Sequence, residues 1–144
     1  MCTFHRRRYF ISAENVDIVR GQLLPTAARY DVEIVAYCFM EDHLHALVAG
    51  SAEQADTKRF AQVFRQKAGY HYRRRRGVRL WQEGFFDRSL REQDATFDVV
   101  SYIVANPIRA RLSADAVSYP YSGSSRYSWE EIATSVQWRP YSLG

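Results

Sequence analysis

The chain has 144 residues, a formal net charge of +4 and 47% hydrophobic residues. This length is typical of one domain and excludes a TIM barrel or a two-domain dinucleotide-binding enzyme. No apolar run reaches the ~20 residues of a membrane helix, the N-terminus has no signal-peptide pattern, and the two cysteines form no metal-binding or disulfide motif. We therefore expect one domain over residues 1–144, located in a reducing cytoplasm.

Apolar periodicity predicts a mixture of helices and strands. In chain order these are a helix over 14–29, strands over 32–39 and 43–49, a helix over 53–72, a bent strand over 79–90, and a helix over 95–105 with a helical turn to residue 112. Gly21 and Pro25 weaken or kink the first helix. Asp94 is the expected N-cap of the last helix, and Asn106-Pro107 interrupts it.

The C-terminal residues 113–144 are rich in Ser and Tyr and predict an irregular tail with one helix near 129–136. The order of the elements, α-β-β-α-β-α, is typical of an α+β fold. We expect an antiparallel sheet covered by helices on one face.

The basic residues are concentrated in one segment and are mostly arginine. Eighteen of the twenty are Arg, and residues 58–91 contain eleven basic and two acidic residues, a local charge of +9. The rest of the chain has nine basic and fourteen acidic residues, a charge of −5. Arginine forms bidentate contacts with phosphate and stacks on bases, so this distribution predicts a polyanion on one side of the molecule.

His43-Leu44-His45 is a candidate metal-binding motif. On a strand, residues i and i+2 point to the same face with Cα atoms about 6.5–7 Å apart, so both imidazoles can converge on one metal ion. Two histidines on the solvated face of a strand are the alternative that the motif alone leaves open. Leu47 stands where a histidine-triad hydrolase needs a third histidine, so a metal site here requires a distant residue.

Tyr102 lies on the polar edge of the helix over 95–105, one turn from Asp98 and one turn from Asn106. A phenol one turn from a carboxamide suits a phosphotyrosine mechanism, whereas an ordinary exposed tyrosine is the alternative in a chain with ten. Asn106 is also a good N-cap for a helix that starts at Pro107. These two roles compete for one side-chain oxygen.

Four motifs occur in order along the chain: MEDHLHALV (40–48), LWQEGFFDRSL (80–90), YIVANPIRARL (102–112) and YPYSGSS (119–125). Together they resemble the REP-associated tyrosine transposases, a branch of the HUH single-tyrosine transposases that also include the enzymes of the smallest insertion sequences. The resemblance covers about residues 5–125 and implies a ferredoxin-like α/β sandwich. Asn106 favours the REP-associated branch, because mobile-element relatives tend to have Gln there.

The resemblance implies a metal-dependent reaction on single-stranded or hairpin DNA. His43, His45 and Asn106 would hold one divalent cation, Mg²⁺ or Mn²⁺, and Tyr102 would attack the scissile phosphate to leave a 5′-phosphotyrosine. The 3′-hydroxyl of another strand would reverse the step, so cleavage and rejoining need no ATP. Asp98 is a candidate base for the phenol.

The resemblance also implies that the basic segment binds the DNA. The expected DNA-binding residues are Lys58, Arg65, Lys67, Arg73, Arg74, Arg75, Arg76, Arg79 and Trp81. The aromatic residues expected to stack on unpaired bases are Tyr70, Tyr72, Trp81, Phe85 and Phe86.

The chain departs from the family pattern at its N-terminus, where Met1–Phe4 stand in place of a full strand, so we expect a truncated first strand. Arg111 stands where glycine is frequent. A truncated or domesticated relative that binds hairpin DNA without cleaving it is the alternative to a transposase. A generic RNA-binding module is a third hypothesis, in which the histidines have no role. We expect a monomer or a homodimer that does not associate with membranes.

Overall fold

A three-stranded antiparallel sheet carries the functional residues, with strand order β2-β1-β3. The strands are β1 (Val32–Phe39), β2 (Leu44–Gly50) and β3 (Ser122–Gly123). The computed structural model describes residues 1–84, 96–116, 118–128 and 130–131. The predicted hairpin of β1 and β2 is confirmed, with Phe39 paired to Leu44 and Val32 to Gly50.

The helices are α1 (Ala13–Arg20), α2 (Leu23–Arg29), α3 (Thr57–Arg76) and α4 (Thr96–Arg109), with short 3₁₀ turns at Phe4–Arg6 and Tyr9–Ile11. The helix predicted over 14–29 is therefore two helices, separated at Gly21 and Gln22. α3 includes the four arginines as its last turn and ends at Gly77, whose φ of 74° makes a left-handed C-cap.

α4 runs through Pro107 and ends at Arg109. The prediction that Asn106 caps a new helix is wrong, because Asn106 lies within α4 and its backbone carbonyl accepts a bond from the Ala110 N–H. The carboxamide is therefore not needed as a cap. Asp94 and residues 85–90 lie outside the described residues, as does most of the helix predicted near 129–136.

Helices pack on both faces of the sheet. One buried cluster joins Ile34 and Phe39 of β1 to α1, α2 and α3, and a second joins Val35 and Cys38 of β1 to Val104 of α4. The α+β class is confirmed. The expectation that helices cover only one face of the sheet is corrected, because β1 is apolar on both faces and each apolar face packs against helices. None of the helices in the described part of the chain has the length and apolar character that crossing a bilayer requires.

The first residues of the chain lie beside the start of β2. Cys2 forms an isolated antiparallel bridge with His43, and Thr3 forms one with Trp81. The N–H of Leu44 donates to the Met1 carbonyl at 2.8 Å. This short segment therefore links the start of β2 to residues 80–82. The bent strand predicted over 79–90 is described only over 79–84, where the structure has an isolated bridge at Trp81 and no strand.

Part of the stretch expected to be an irregular tail joins the sheet. The N–H of Phe39 donates to the carbonyl of Tyr121 at 2.8 Å, and the N–H of Ser125 donates to the carbonyl of Ile34 at 3.0 Å. Tyr119 is buried and its hydroxyl donates to the carbonyl of Phe39. β1 is therefore the central strand because this later segment covers its second edge.

Candidate functional site

His43 and His45 lie side by side at the start of β2. Their ring centroids are 4.7 Å apart and their planes are nearly perpendicular, at 86°. Leu44, between them, is buried, as the alternation of side chains along a strand requires. The structure therefore brings the two imidazoles together at one place on the surface of the sheet.

Asp42 orients the ring of His43. The Nδ1 atom of His43 lies 2.7 Å from Oδ1 of Asp42, and the Nε of Arg6 donates to Oδ2 of Asp42 at 3.0 Å. Burial opposes ionisation of this carboxyl, but the hydrogen bonds from His43 and Arg6 outweigh it, and the pKa of Asp42 lies below its usual value. In the tautomer of His43 that carries its proton on Nδ1, the ring donates to the ionised Asp42 and the lone pair of Nε2 is free for a cation.

The surroundings of His45 disfavour its charged form. Burial, helped by nearby positive charges that include Arg109, lowers the pKa of His45 to about 4. The imidazole is therefore neutral near pH 7, which is the form that binds a metal.

Tyr102 and Asn106 lie one turn apart on α4, and Arg109 contacts both. The guanidinium carbon of Arg109 is 4.0 Å from the centroid of the Tyr102 ring. Its Nη2 donates to Oδ1 of Asn106 at 3.2 Å and to the backbone carbonyl of Tyr102 at 2.9 Å. Asp98, the candidate base, is exposed in the first turn of α4.

α4 and the histidines share one face of the sheet. α4 packs against the cluster that includes Leu47 and Ala49 of β2, and strand alternation places His45 on the same face as these two residues. The positive charge of Arg109 also acts on His45, where it helps to lower the pKa. The structure thus packs the Tyr102 helix on the same face of the sheet as the histidine pair, although these segments are far apart in sequence.

A groove of about 640 Å³ runs between α3 and residues 79–81. Its cationic lining is Arg65, Arg73 and Arg79, and its other polar lining includes Gln62, Gln66 and Tyr70. Tyr70 is 56% exposed, whereas the floor residues Leu80 and Trp81 are buried. The groove thus combines fixed positive charge, amide groups and one exposed ring.

Two of the rings expected to stack on bases are buried. Tyr72 is 1% exposed and Trp81 is 5% exposed. Tyr72 continues the apolar stripe of α3 through Phe60 and Phe64, and the Trp81 indole N–H donates to the carbonyl of Arg65 at 3.0 Å. The stacking prediction is therefore wrong for these two residues, and Phe85 and Phe86 lie outside the described residues.

The expected DNA-binding cations differ in their surroundings. Lys58, Arg73, Arg74, Arg75, Arg76 and Arg79 are exposed, whereas Arg65 and Lys67 are half-buried. Arg76 is held against α1 by Glu14, at 2.8 Å, and Asn15, at 2.6 Å. The side chains of Arg73 and Arg75 make no hydrogen bond or ion pair within the described part of the chain. The four consecutive arginines are therefore not equivalent.

A short chain of contacts links the groove to the histidines. The Arg65 guanidinium donates to the backbone carbonyl of Gln82, and the N–H of Gln82 donates to the carbonyl of Cys2 at 3.1 Å. Cys2 in turn pairs with His43. These contacts connect the lining of the groove to the start of β2, where the histidines lie.

The family model described as "Transposase IS200 like" matches residues 1–106, most of the chain. The chain belongs to the IS200-like transposase family. The matched range includes both histidines, Tyr102 and Asn106, but not Arg109. No curated protein matches this IS200-like transposase.

Among solved structures, the fold is similar to that of a REP-associated tyrosine transposase bound to a REP hairpin. The TM-score is 0.67 and the identity 17%, over 84% of this chain and 72% of the other. The resemblance found from the four motifs is thereby confirmed.

Three residues that bear on the site were not predicted from the sequence. Asp42 directly precedes His43, and this adjacency was its only sequence signal. Arg6 is distant in sequence and had none. Arg109 is three residues after Asn106 and seven after Tyr102, a spacing that places all three on one helix stripe; this spacing was the signal that could have revealed it.

The donor set limits the kind of metal site that can form here. Among the described residues, no group of three or more His, Cys, Asp or Glu side chains is arranged to hold a metal ion. A site at the histidine pair therefore needs a ligand of another type, and the carboxamide oxygen of Asn106 is of that type.

Proposed function

We propose that this IS200-like transposase cleaves and rejoins single-stranded DNA beside a hairpin, through a covalent bond between Tyr102 and a 5′-phosphate. The observation that carries the proposal is the placement of the Tyr102 helix on the same face of the sheet as His43 and His45. Nothing in the local sequence of either segment requires this juxtaposition, and a reaction at a phosphodiester needs both.

His43, His45 and Asn106 are the residues we propose to hold a divalent cation. The neutral His45 and the Asp42-oriented His43 suit this role. Two imidazoles favour Mn²⁺, whereas Mg²⁺ prefers oxygen ligands. A cation bound there would polarise the scissile phosphate.

Tyr102 is the proposed nucleophile. Tyr102 is 40% exposed, so part of this residue is accessible to a DNA strand. The Tyr102 oxygen forms a bond to phosphorus, the bond from phosphorus to the 3′ oxygen breaks, and that oxygen takes up a proton to become a hydroxyl. The phenol proton leaves to a base, for which Asp98, one turn away, is the candidate. One phosphate ester replaces another, so the reverse reaction rejoins strands without ATP.

The groove between α3 and residues 79–81 is the proposed DNA-binding site. Arg73 and Arg79 would contact backbone phosphates, and Tyr70 is the exposed ring on which an unpaired base can stack. Lys58, Lys67, Arg65, Arg74 and Arg75 would add to the surrounding positive charge, whereas Arg76 is paired with Glu14 on the α1 side. The contacts from Arg65 through Gln82 and Cys2 connect this groove to the start of β2.

The test is a trapping assay on a labelled single strand that carries a hairpin, with Mn²⁺. The wild-type protein is expected to form a covalent adduct on the peptide that contains Tyr102, and Tyr102→Phe is expected to bind the hairpin without forming one. Tyr70→Phe is the matched control, because it removes an exposed phenol but keeps the ring. An adduct that persists in Tyr102→Phe, or that maps to another peptide, contradicts the proposal.

Hairpin binding without cleavage is the second candidate function. The observation that favours it is the arginine groove, which can hold DNA without any contribution from Tyr102 or the histidines. The same assay separates the two functions, because a protein that only binds retains the hairpin and forms no adduct in the wild type.

A further inference from the structure

The side chain of Arg109 contacts both functional groups of α4. Its guanidinium stacks 4.0 Å from the centroid of the Tyr102 ring, and its Nη2 donates to the Asn106 carboxamide at 3.2 Å. The same nitrogen donates to the backbone carbonyl of Tyr102 at 2.9 Å. A planar guanidinium can make these contacts at once because it stacks through its face and donates through its edge.

The local sequence explains how Arg109 reaches back over two helical turns. Positions 102, 106 and 109 lie on one stripe of the helix. The long side chain of Arg109 can reach a carbonyl seven residues earlier, and its Nη2 donates to the backbone carbonyl of Tyr102, which has a second lone pair to accept this bond.

An arginine near the end of a helix has an ordinary function, which is to interact with the negative end of the helix dipole. That function does not require contact with a ring two turns earlier or with a carboxamide one turn earlier. The observed contacts instead join the two functional groups that the proposed site takes from α4.

We propose that Arg109 is a positioning residue for strand cleavage: it holds the Tyr102 ring and the Asn106 carboxamide in a fixed relation and keeps a permanent positive charge beside the phenol. This rests on the proposed function. The hydrogen bond occupies one lone pair of the Asn106 oxygen and sets the amide plane, which leaves the second lone pair for a cation. The charge favours the phenolate that attacks and remains beside the phosphate that becomes attached to it.

The experiment compares the wild type with Arg109→Gln, Arg109→Lys and the matched control Arg111→Gln. Arg111 carries the same charge and follows the end of α4. Four quantities are measured for each protein. They are the melting temperature, the affinity for the hairpin, the single-turnover rate of adduct formation at saturating DNA and Mn²⁺, and the calorimetric affinity for Mn²⁺ without DNA. Tyr102→Phe is the negative control for adduct formation.

Arg109→Gln is expected to melt like the wild type and to bind the hairpin almost equally, but to form adduct about 100-fold more slowly, as for a misplaced reacting group. Its Mn²⁺ affinity should fall about tenfold, as when a residue that orients a ligand is lost. Arg109→Lys should recover only part of the rate, since an ammonium restores the charge but not the planar contacts. Arg111→Gln should match the wild type in all four measurements.

Three results overturn the proposal: an adduct rate in Arg109→Gln close to that of the wild type, full activity in Arg109→Lys, or hairpin affinity that falls as much as the rate. If Arg109→Gln does not fold, the Arg109→Lys rate decides. If the wild type itself forms no adduct, the proposed function fails. The Mn²⁺ affinities then test the role of Arg109 by themselves, and an unchanged affinity in Arg109→Gln overturns its positioning role.

Discussion

The arginines of the groove should account for a measurable share of the salt dependence of DNA binding. Arg73 and Arg79 line the groove, whereas Arg76 is paired with Glu14 and Asn15 on the α1 side of α3. Each phosphate neutralised on a single strand contributes about 0.7 to the slope of log affinity against log salt. The double variant Arg73→Gln/Arg79→Gln should therefore have a slope smaller by about 1.4.

This difference in slope is large enough to measure. When salt rises from about 50 to about 200 mM, the affinity of both proteins for the hairpin falls. Because two phosphate contacts are lost, the factor by which it falls should be about seven times smaller for the double variant than for the wild type. The assay is fluorescence anisotropy of a labelled hairpin with an unpaired foot, titrated at several salt concentrations.

The matched control is Arg76→Gln, which removes the same charge from the same helix. We expect it to leave the slope nearly unchanged and to lower the melting temperature slightly, because the contact of α3 with Glu14 and Asn15 is lost. The reasoning is refuted if the double variant keeps the wild-type slope, or if Arg76→Gln reduces the slope as much per charge as the groove variants do.

Four further predictions concern the site and the fold. His43→Ala should abolish adduct formation and Mn²⁺ binding by calorimetry while hairpin affinity changes little, since the groove supplies the phosphate contacts; strong cleavage by this variant would contradict the metal assignment. Asp42→Asn should weaken Mn²⁺ binding about 10- to 100-fold, and equal affinity would show that the Asp42 contact does not orient His43. Burial raises the pKa of Tyr72 to about 12 from 10.0, so its contribution to stability is complete below pH 10 and is lost as the pH rises towards 12; urea unfolding in this range should be less pH-dependent in Tyr72→Phe, and identical pH profiles would be the contrary result. A Cβ at Gly123 would lie 2.8 Å from ring atoms of Tyr37, so Gly123→Ala should destabilise the protein by roughly 1–3 kcal/mol in urea unfolding, and a neutral effect would show that the Tyr37 ring moves aside easily.

Local patterns in the sequence were sufficient to predict the elements whose residues interact with near neighbours. The β-branched run of β1, the i and i+2 spacing of His43 and His45, and the apolar stripe of α3 depend only on the period of a strand or a helix. The four motifs in their order were sufficient to predict the family, because several weak motifs in one order are specific together.

The same local patterns were misleading where a distant segment changed the environment of a residue. Tyr72 and Trp81 look like exposed aromatics of a basic segment, but α1 and the N-terminal residues cover them. Asn106-Pro107 looks like a helix boundary, but packing of α4 on the sheet keeps the helix continuous through Pro107.

The sequence by itself determined that this protein has a β-hairpin with two histidines on one face, a long basic helix and a helix that carries Tyr102 and Asn106. Only the tertiary structure decided that the Tyr102 helix packs on the histidine face, that Asp42 and Arg6 orient His43, and that Arg109 joins Tyr102 to Asn106. The physical reason is that spacing along the chain sets which side chains share a face, whereas the partner of that face is chosen by burial of apolar surface between segments far apart in sequence.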